Sequence, residues 1–137
     1  MMTNDQLESL IRVRFKAYVT DAQSISTVFD NAEQDAPQAI GTTRWCRFTI
    51  LHAAEQRISC GVEDYRKHGR FIAQLFCPLR EGTGQIMIVA DAIVSAFRDT
   101  STDGIRYREL TINRVGVNKQ KEYQVNVECR FTADHQV

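Results

Sequence analysis

Thr3 followed by Gln6 is the pairing of a capping box at a helix start. Leu7, Leu10, Ile11, Phe15, Tyr18 and Val19 then recur in steps of three and four, with Glu8, Arg12 and Lys16 between them. That spacing predicts an amphipathic helix with one stripe on a core. The polar stretch Thr20–Ser24 ends it, and the short apolar run Ile25–Phe29 reads as a strand. Asp30–Pro37 is acidic, ends in proline and has no period, which predicts a loop.

From Trp45 the period becomes two. Trp45, Arg47, Thr49 and Leu51 share one face, and Cys46, Phe48 and Ile50 the other. The strand is expected to continue, bent, through Ala53–Ser59, with Gly61 as punctuation. A second run, Arg70–Cys77, stops at Pro78, which cannot extend a ladder. Asp64–Arg70 between the runs is charged and expected to be exposed. Together they predict a long antiparallel hairpin.

Glu81–Gly84 opens a second helix with Thr83 as its N-cap. Ile86, Val89, Ala90, Ile93, Val94 and Phe97 form its stripe. Met87, Ile88, Ala92 and Ala96 widen it, leaving only Asp91, Ser95 and Arg98 as a polar edge. A helix this apolar is expected to be central or covered on two sides. Asp99–Gly104 reads as a polar loop. Ile105–Val117 and Tyr123–Phe131 read as strands around a turn at Asn118–Lys121. In the last strand Tyr123, Val125, Val127, Cys129 and Phe131 point in, while Gln124, Asn126, Glu128, Arg130 and Thr132 point out. The order predicts an α+β fold: a mostly antiparallel sheet, two helices packed on one face, and a long extended hairpin. One domain over residues 1–137 is expected, with 132–137, including His135, as a flexible tail.

Composition narrows the class. At 137 residues the chain is long enough for one core without staples. With 43% hydrophobic and 25% charged residues, it is not globally disordered. Lys plus Arg and Asp plus Glu number 17 each, so there is no net charge to attract nucleic acid or anionic lipid from a distance. The longest apolar run, Ile86–Ala90, is far short of the roughly 20 residues of a membrane helix. The N-terminal residues lack a basic segment followed by an apolar core, so no secretory signal is expected. Cys46, Cys60, Cys77 and Cys129 form no CxxC pair and no metal spacing with a histidine, and read as reduced, mostly buried thiols.

Signals for catalysis are sparse. His52 follows a strand, His68 lies in a charged stretch, and a Cys60–His52 or Cys60–His68 pair is the one nucleophile–base combination to weigh. Gly82-Thr83-Gly84 lacks the rest of a dinucleotide fingerprint or P-loop. Glu55, Glu63 and Asp64 read as a solvated edge. Arg106, Arg108, Arg114, Lys119 and Lys121 make the C-terminal hairpin basic, with only Tyr107 and Tyr123 as stacking partners. Charged edge strands that discourage wrong pairing explain the same residues.

Several segments in order carry a family resemblance. They are Phe29-Asp30-Asn31 with Pro37, Gly69–Pro78, Gly82-Thr83-Gly84, Val89–Ile93 with Phe97, and Tyr123, Val125, Val127 and Phe131. The set resembles the tail terminator (tail completion) proteins of long-tailed bacteriophages, of the lambda minor tail protein U type. The loop Asp30–Thr43 and the segment Ala53–Arg70 match least well. The resemblance implies a virion protein, assembled in the host cytoplasm, that forms a hexameric ring at the head-proximal end of the tail tube. Such a ring stops tube polymerisation and joins the tail to the neck or connector. It implies no catalysis, cofactor, metal or membrane, and DNA only as a molecule passing through the lumen. Arg57, Glu63, Arg66, Lys67 and Arg70 have no role in a monomer's core and are the candidate subunit or tube contacts, although a solvated hairpin explains them equally. The alternatives are another head–tail connector or tube component, a small-ligand-binding or hydrolytic α+β domain, and a nucleic-acid module using the basic hairpin.

Overall fold

The computed structural model describes residues 3–29, 44–53, 56–57, 64–79, 84–98, 101–102, 104–117 and 122–136. The first helix, α1 (Asn4–Phe15), begins at the expected capping box. The Gln6 N–H donates to Thr3 Oγ1 at 3.2 Å, and the Thr3 N–H donates to Gln6 Oε1 at 3.0 Å. Leu7, Ile11 and Phe15 are buried on one stripe. Lys16–Thr20 then widens into a π-helical turn, with the Asp21 N–H bonded back to Lys16 O at 2.9 Å. A π turn rotates less per residue than an α-helix. Val19 therefore stays over the core, while Tyr18, expected on the buried stripe, swings out to 54% exposure. There it lies 4.8 Å from the Arg14 guanidinium.

The strands are β1 (Ser26–Phe29), β2 (Trp45–His52), β3 (Gln56–Arg57), β4 (Asp64–Pro78), β5 (Ser101–Thr102), β6 (Ile105–Val117) and β7 (Glu122–Gln136). The second helix, α2 (Gly84–Phe97), lies between β4 and β5 in sequence. The sheet order is β1-β2-β4-β7-β6-β5, with β3 also on β4. Every pairing is antiparallel except β1 with β2, which is parallel. The α+β fold expected from the pattern is the fold found.

The long hairpin is β2 and β3 against β4. Its register slips by one residue between His52↔Gly69 and Gln56↔Arg66, which supplies the expected bend. Three expectations are corrected. Asp64–Arg70 is not an exposed stretch between strands but the first half of β4. The backbone at 132–136 is not a tail: β7 pairs with β4 as far as Asp64↔Gln136, and His135 faces Tyr65. The loop at Asp99–Gly104 contains the short strand β5. In each case ladder partners satisfy backbone N–H and C=O groups, so polar sequence is no bar to a strand. The expected loop Asp30–Pro37, the Thr83 cap and the Asn118–Lys121 turn lie outside the described residues.

The core sits between one sheet face and the helices. Cys46, Phe48 and Ile50 of β2, Phe71, Ala73 and Leu75 of β4, and Val125, Val127, Cys129 and Phe131 of β7 meet α1, the π turn and α2. Tyr123, expected inward, is partly buried against this cluster. Phe15, Phe48, Phe71 and Phe97 form its aromatic centre, and Tyr107 closes on Phe97 at 4.8 Å. α2 rests on β4, β6, β7 and the π turn. It is not enclosed on two sides, since Ile88 is 58% exposed. Arg14 ties the helices together: Nε and Nη2 donate to Ala96 O at 3.0 and 2.6 Å, satisfying a carbonyl of α2's last turn.

Gly69 is required by close approach. Its β4 position faces Phe131 across the ladder. A Cβ there would lie 2.6 Å from Phe131 Cζ and 2.7 Å from the Leu51 carbonyl oxygen. The ring can shift, but the backbone oxygen is held in the β2–β4 ladder. Gly69→Ala is therefore expected to destabilise the protein by about 1–3 kcal/mol. Gly84→Ala, with nothing within 4 Å of the new methyl, is the control. It should be neutral or stabilising by up to about 1 kcal/mol. Equal urea midpoints for the two variants would refute the packing argument.

Candidate assembly interface

The sheet face away from the helices carries the residues that alternate outward. At one end the Trp45 ring stacks on Phe76 at 4.3 Å with 17° between planes, and its indole N–H donates to Glu122 Oε2 at 2.8 Å. Glu122 is only 1% exposed, so this polar pair is sealed beneath the surrounding side chains. At the other end, Leu51, Arg70, Arg130 and Arg108 are successive cross-strand neighbours on β2, β4, β7 and β6. Arg70 Nη1 lies 2.9 Å from Glu128 Oε1, and Arg130 Nη1 lies 3.5 Å from Glu109 Oε2.

The sheet ends in two different edges. Among the described residues, β1 joins it through β2 alone. On the far side, β5 pairs only with Ile105 and Arg106, leaving the β6 backbone from Tyr107 to Val117 without an outer strand among the described residues. β6 is bent by register shifts between Arg108 and Thr111 and between Arg114 and Gly116. Glu109 sits at the first with φ 51°, and Gly116 at the second with φ 97°. Bulges of this kind twist an edge and restrict which strand can pair with it. Val115 and Val117 are exposed apolar side chains at its end.

The sequence-derived contact residues separate. Arg57 lies in β3 with its backbone opposite Tyr65, and its side chain is outside the described set, as is all of Glu63. Arg66, Lys67 and Arg70 fall on β4. Lys67 turns toward the helix side, where Nζ donates to Asn4 Oδ1 at 2.6 Å and ties the start of α1 to the sheet. Arg66 and Arg70 alternate to the other face, and Arg70 holds Glu128. The neighbours that complete this surface, Arg108 and Arg130, read in sequence only as a basic hairpin and an outward strand position. Their juxtaposition with Arg70 depends on register, which no local pattern encodes.

Cys60 lies outside the described residues. His52 Nε2 is 3.5 Å from Glu8 Oε1 on α1, away from any thiol described. Cys46 and Cys129 are buried. Burial pushes the Cys46 thiol far above its ordinary range and the Cys129 thiol up to about 12, against a smaller opposing effect of the hydrogen bond to Arg108 O. Both stay protonated and unreactive in the folded protein. Among the described residues no three His, Cys, Asp or Glu side chains converge on a point. No described helix is long and apolar enough to cross a membrane.

No curated protein matches this sequence. A solved structure is similar to it with a TM-score of 0.63 and 16% identity, over 92% of this chain and 94% of that one. At that identity the likeness is one of fold. The family model described as phage tail terminator protein matches residues 6–131, from the first turn of α1 into the second half of β7. The matched span contains nearly all of the core and of both helices, and both sheet edges, and the chain belongs to the phage tail terminator protein family, with a structural role in the phage tail.

Proposed function

We propose that the protein caps the head-proximal end of the tail tube as a closed ring, expected to be hexameric, that stops tube polymerisation and offers its other surface to the neck or connector. The observation that carries this reading is the pair of unlike sheet edges. A short edge at β1 and a long, bulged edge at β6 lie at opposite ends of one sheet. Unlike patches on one subunit favour head-to-tail association, which closes into a ring when the rotation per subunit divides a full turn. Edge strands are natural docking elements, because they offer unpaired backbone groups to a neighbour. Once such a ring is seated, its distal face need not reproduce the surface on which it landed, so growth ends after one addition. The passage of DNA through the lumen and the participation of Arg57, Glu63, Arg66, Lys67 and Arg70 in subunit or tube contacts belong to the same reading.

Mass photometry of the purified protein, alone and with tail tubes, tests it. The expected result is a ring, either free or formed only at tube ends. Val115→Lys, which puts a charge at the exposed end of β6, is expected to reduce ring formation at least about tenfold without unfolding the monomer. A protein that remains monomeric with and without tubes would overturn the reading. A ring indifferent to Val115→Lys would remove β6 from the contact.

A further inference from the structure

Arg70, Arg130 and Arg108 stand side by side on three adjacent strands. Like charges directly opposite one another destabilise a sheet. Two carboxylates relieve part of the repulsion, Glu128 on Arg70 and Glu109 on Arg130. Both pairs are solvent-exposed and of the kind that contributes little to folding. Arg108 has no ion pair among the described residues. The three guanidinium groups do not line a flat surface. They border a cavity of about 700 Å³ that is also lined by Leu51, Ala53 and Phe131. Three cations against two anions, beside the exposed side chains of Leu51 and Ala53, is an arrangement that folding does not need.

We propose that this cavity is a carboxylate-binding site that docks an acidic segment of a protein partner. Guanidinium forks recognise planar carboxylates by paired hydrogen bonds. The site already accepts carboxylates from its own chain, and Arg108 is the fork left over. The walls suit the aliphatic part of an acidic peptide. A nucleic-acid backbone could meet the same guanidinium groups, but the exposed Leu51 and Ala53 side chains match the aliphatic stems of acidic side chains, which a phosphodiester backbone lacks. The cavity reaches the edge strand β6 through Arg108 and Glu109, so the peptide assay is also run on Val115→Lys, in which ring formation is expected to fall, to keep peptide docking distinct from ring closure.

Fluorescence anisotropy with a labelled oligoglutamate peptide and, separately, a labelled oligothymidylate tests it on the full chain. The peptide is expected to bind in low salt. Arg108→Gln should weaken it about fivefold and Arg108→Lys less, since Lys keeps the charge and loses the fork. Arg12→Gln on α1 should change nothing. Because Arg108 is exposed, unchanged circular dichroism of Arg108→Gln is expected and serves as the folding check. Three results would each overturn the proposal: no peptide binding, equal losses in Arg108→Gln and Arg12→Gln, or tighter binding of the oligothymidylate than of the peptide. The last would assign the face to nucleic acid.

Discussion

Phe15→Ala is expected to be among the most destabilising single changes in this chain, at about 3–5 kcal/mol. Phe15 is the last residue of α1 and is fully buried. Its ring meets Phe48 at 4.4 Å, Phe29 at 6.4 Å, and Phe71 and Phe97 at 6.5 Å. It therefore joins α1, β1, β2, β4 and α2 at one point. Truncation removes apolar burial and leaves a cavity walled by four other rings, which cannot all close in because three are fixed in the sheet. The loss corresponds to a fall in Tm of roughly 10–15 °C for a domain of this size. Phe15→Leu, which keeps most of the volume, should recover more than half of it. A Tm for Phe15→Ala within a few degrees of the parent would show that the aromatic centre is not the keystone described above.

The second large effect is expected at Trp45. Trp45→Ala should cost about 3–5 kcal/mol by loss of the indole from its stack on Phe76. It also removes one hydrogen-bond donor to the buried Glu122 carboxyl group. Trp45→Phe removes the N–H while keeping a smaller aromatic ring on Phe76, so most of the stack is retained. It is expected to cost about 1–3 kcal/mol, the range for depriving a buried polar group of a partner. Glu122→Gln tests the pair from the other side, and the double variant completes a cycle. A coupling energy indistinguishable from zero would mean that the 2.8 Å hydrogen bond does not contribute to stability. These changes lie on the opposite face of the sheet from the Phe15 cluster and share no ring contact with it, so their effects should add to that of Phe15→Ala.

Local patterns were enough for much of the fold. The Thr3–Gln6 box placed the start of α1, because capping is a contact between residues three apart. The alternation over Trp45–Leu51 and Tyr123–Phe131 separated core from outer face, because a half-buried strand must repeat every two residues. What misled was charge and chemistry taken as a proxy for exposure. Asp64–Arg70 and 132–136 are polar, yet they are paired strands, since each supplies the other's ladder. Trp45 was assigned correctly to the face opposite Cys46 and Phe48. Its burial there could not be inferred, because the partners that cover it, Phe76 and Glu122, come from β4 and β7.

The candidate surface was legible only in pieces. Arg70 stood out as a charged hairpin residue, Arg108 as part of a basic hairpin and Arg130 as an outward strand position. Only the register of β4, β7 and β6 makes them one ladder. The sequence by itself determined the α+β class, the start of α1, the alternation of β2 and β7 and the family, all of which rest on spacing within short windows or on their order along the chain. Tertiary structure alone decided the parallel seating of β1, the outward swing of Tyr18 and the meeting of three arginines around a cavity. Each of these depends on which distant backbone satisfies a given hydrogen bond, and a one-residue change of register would move every side chain to the opposite face.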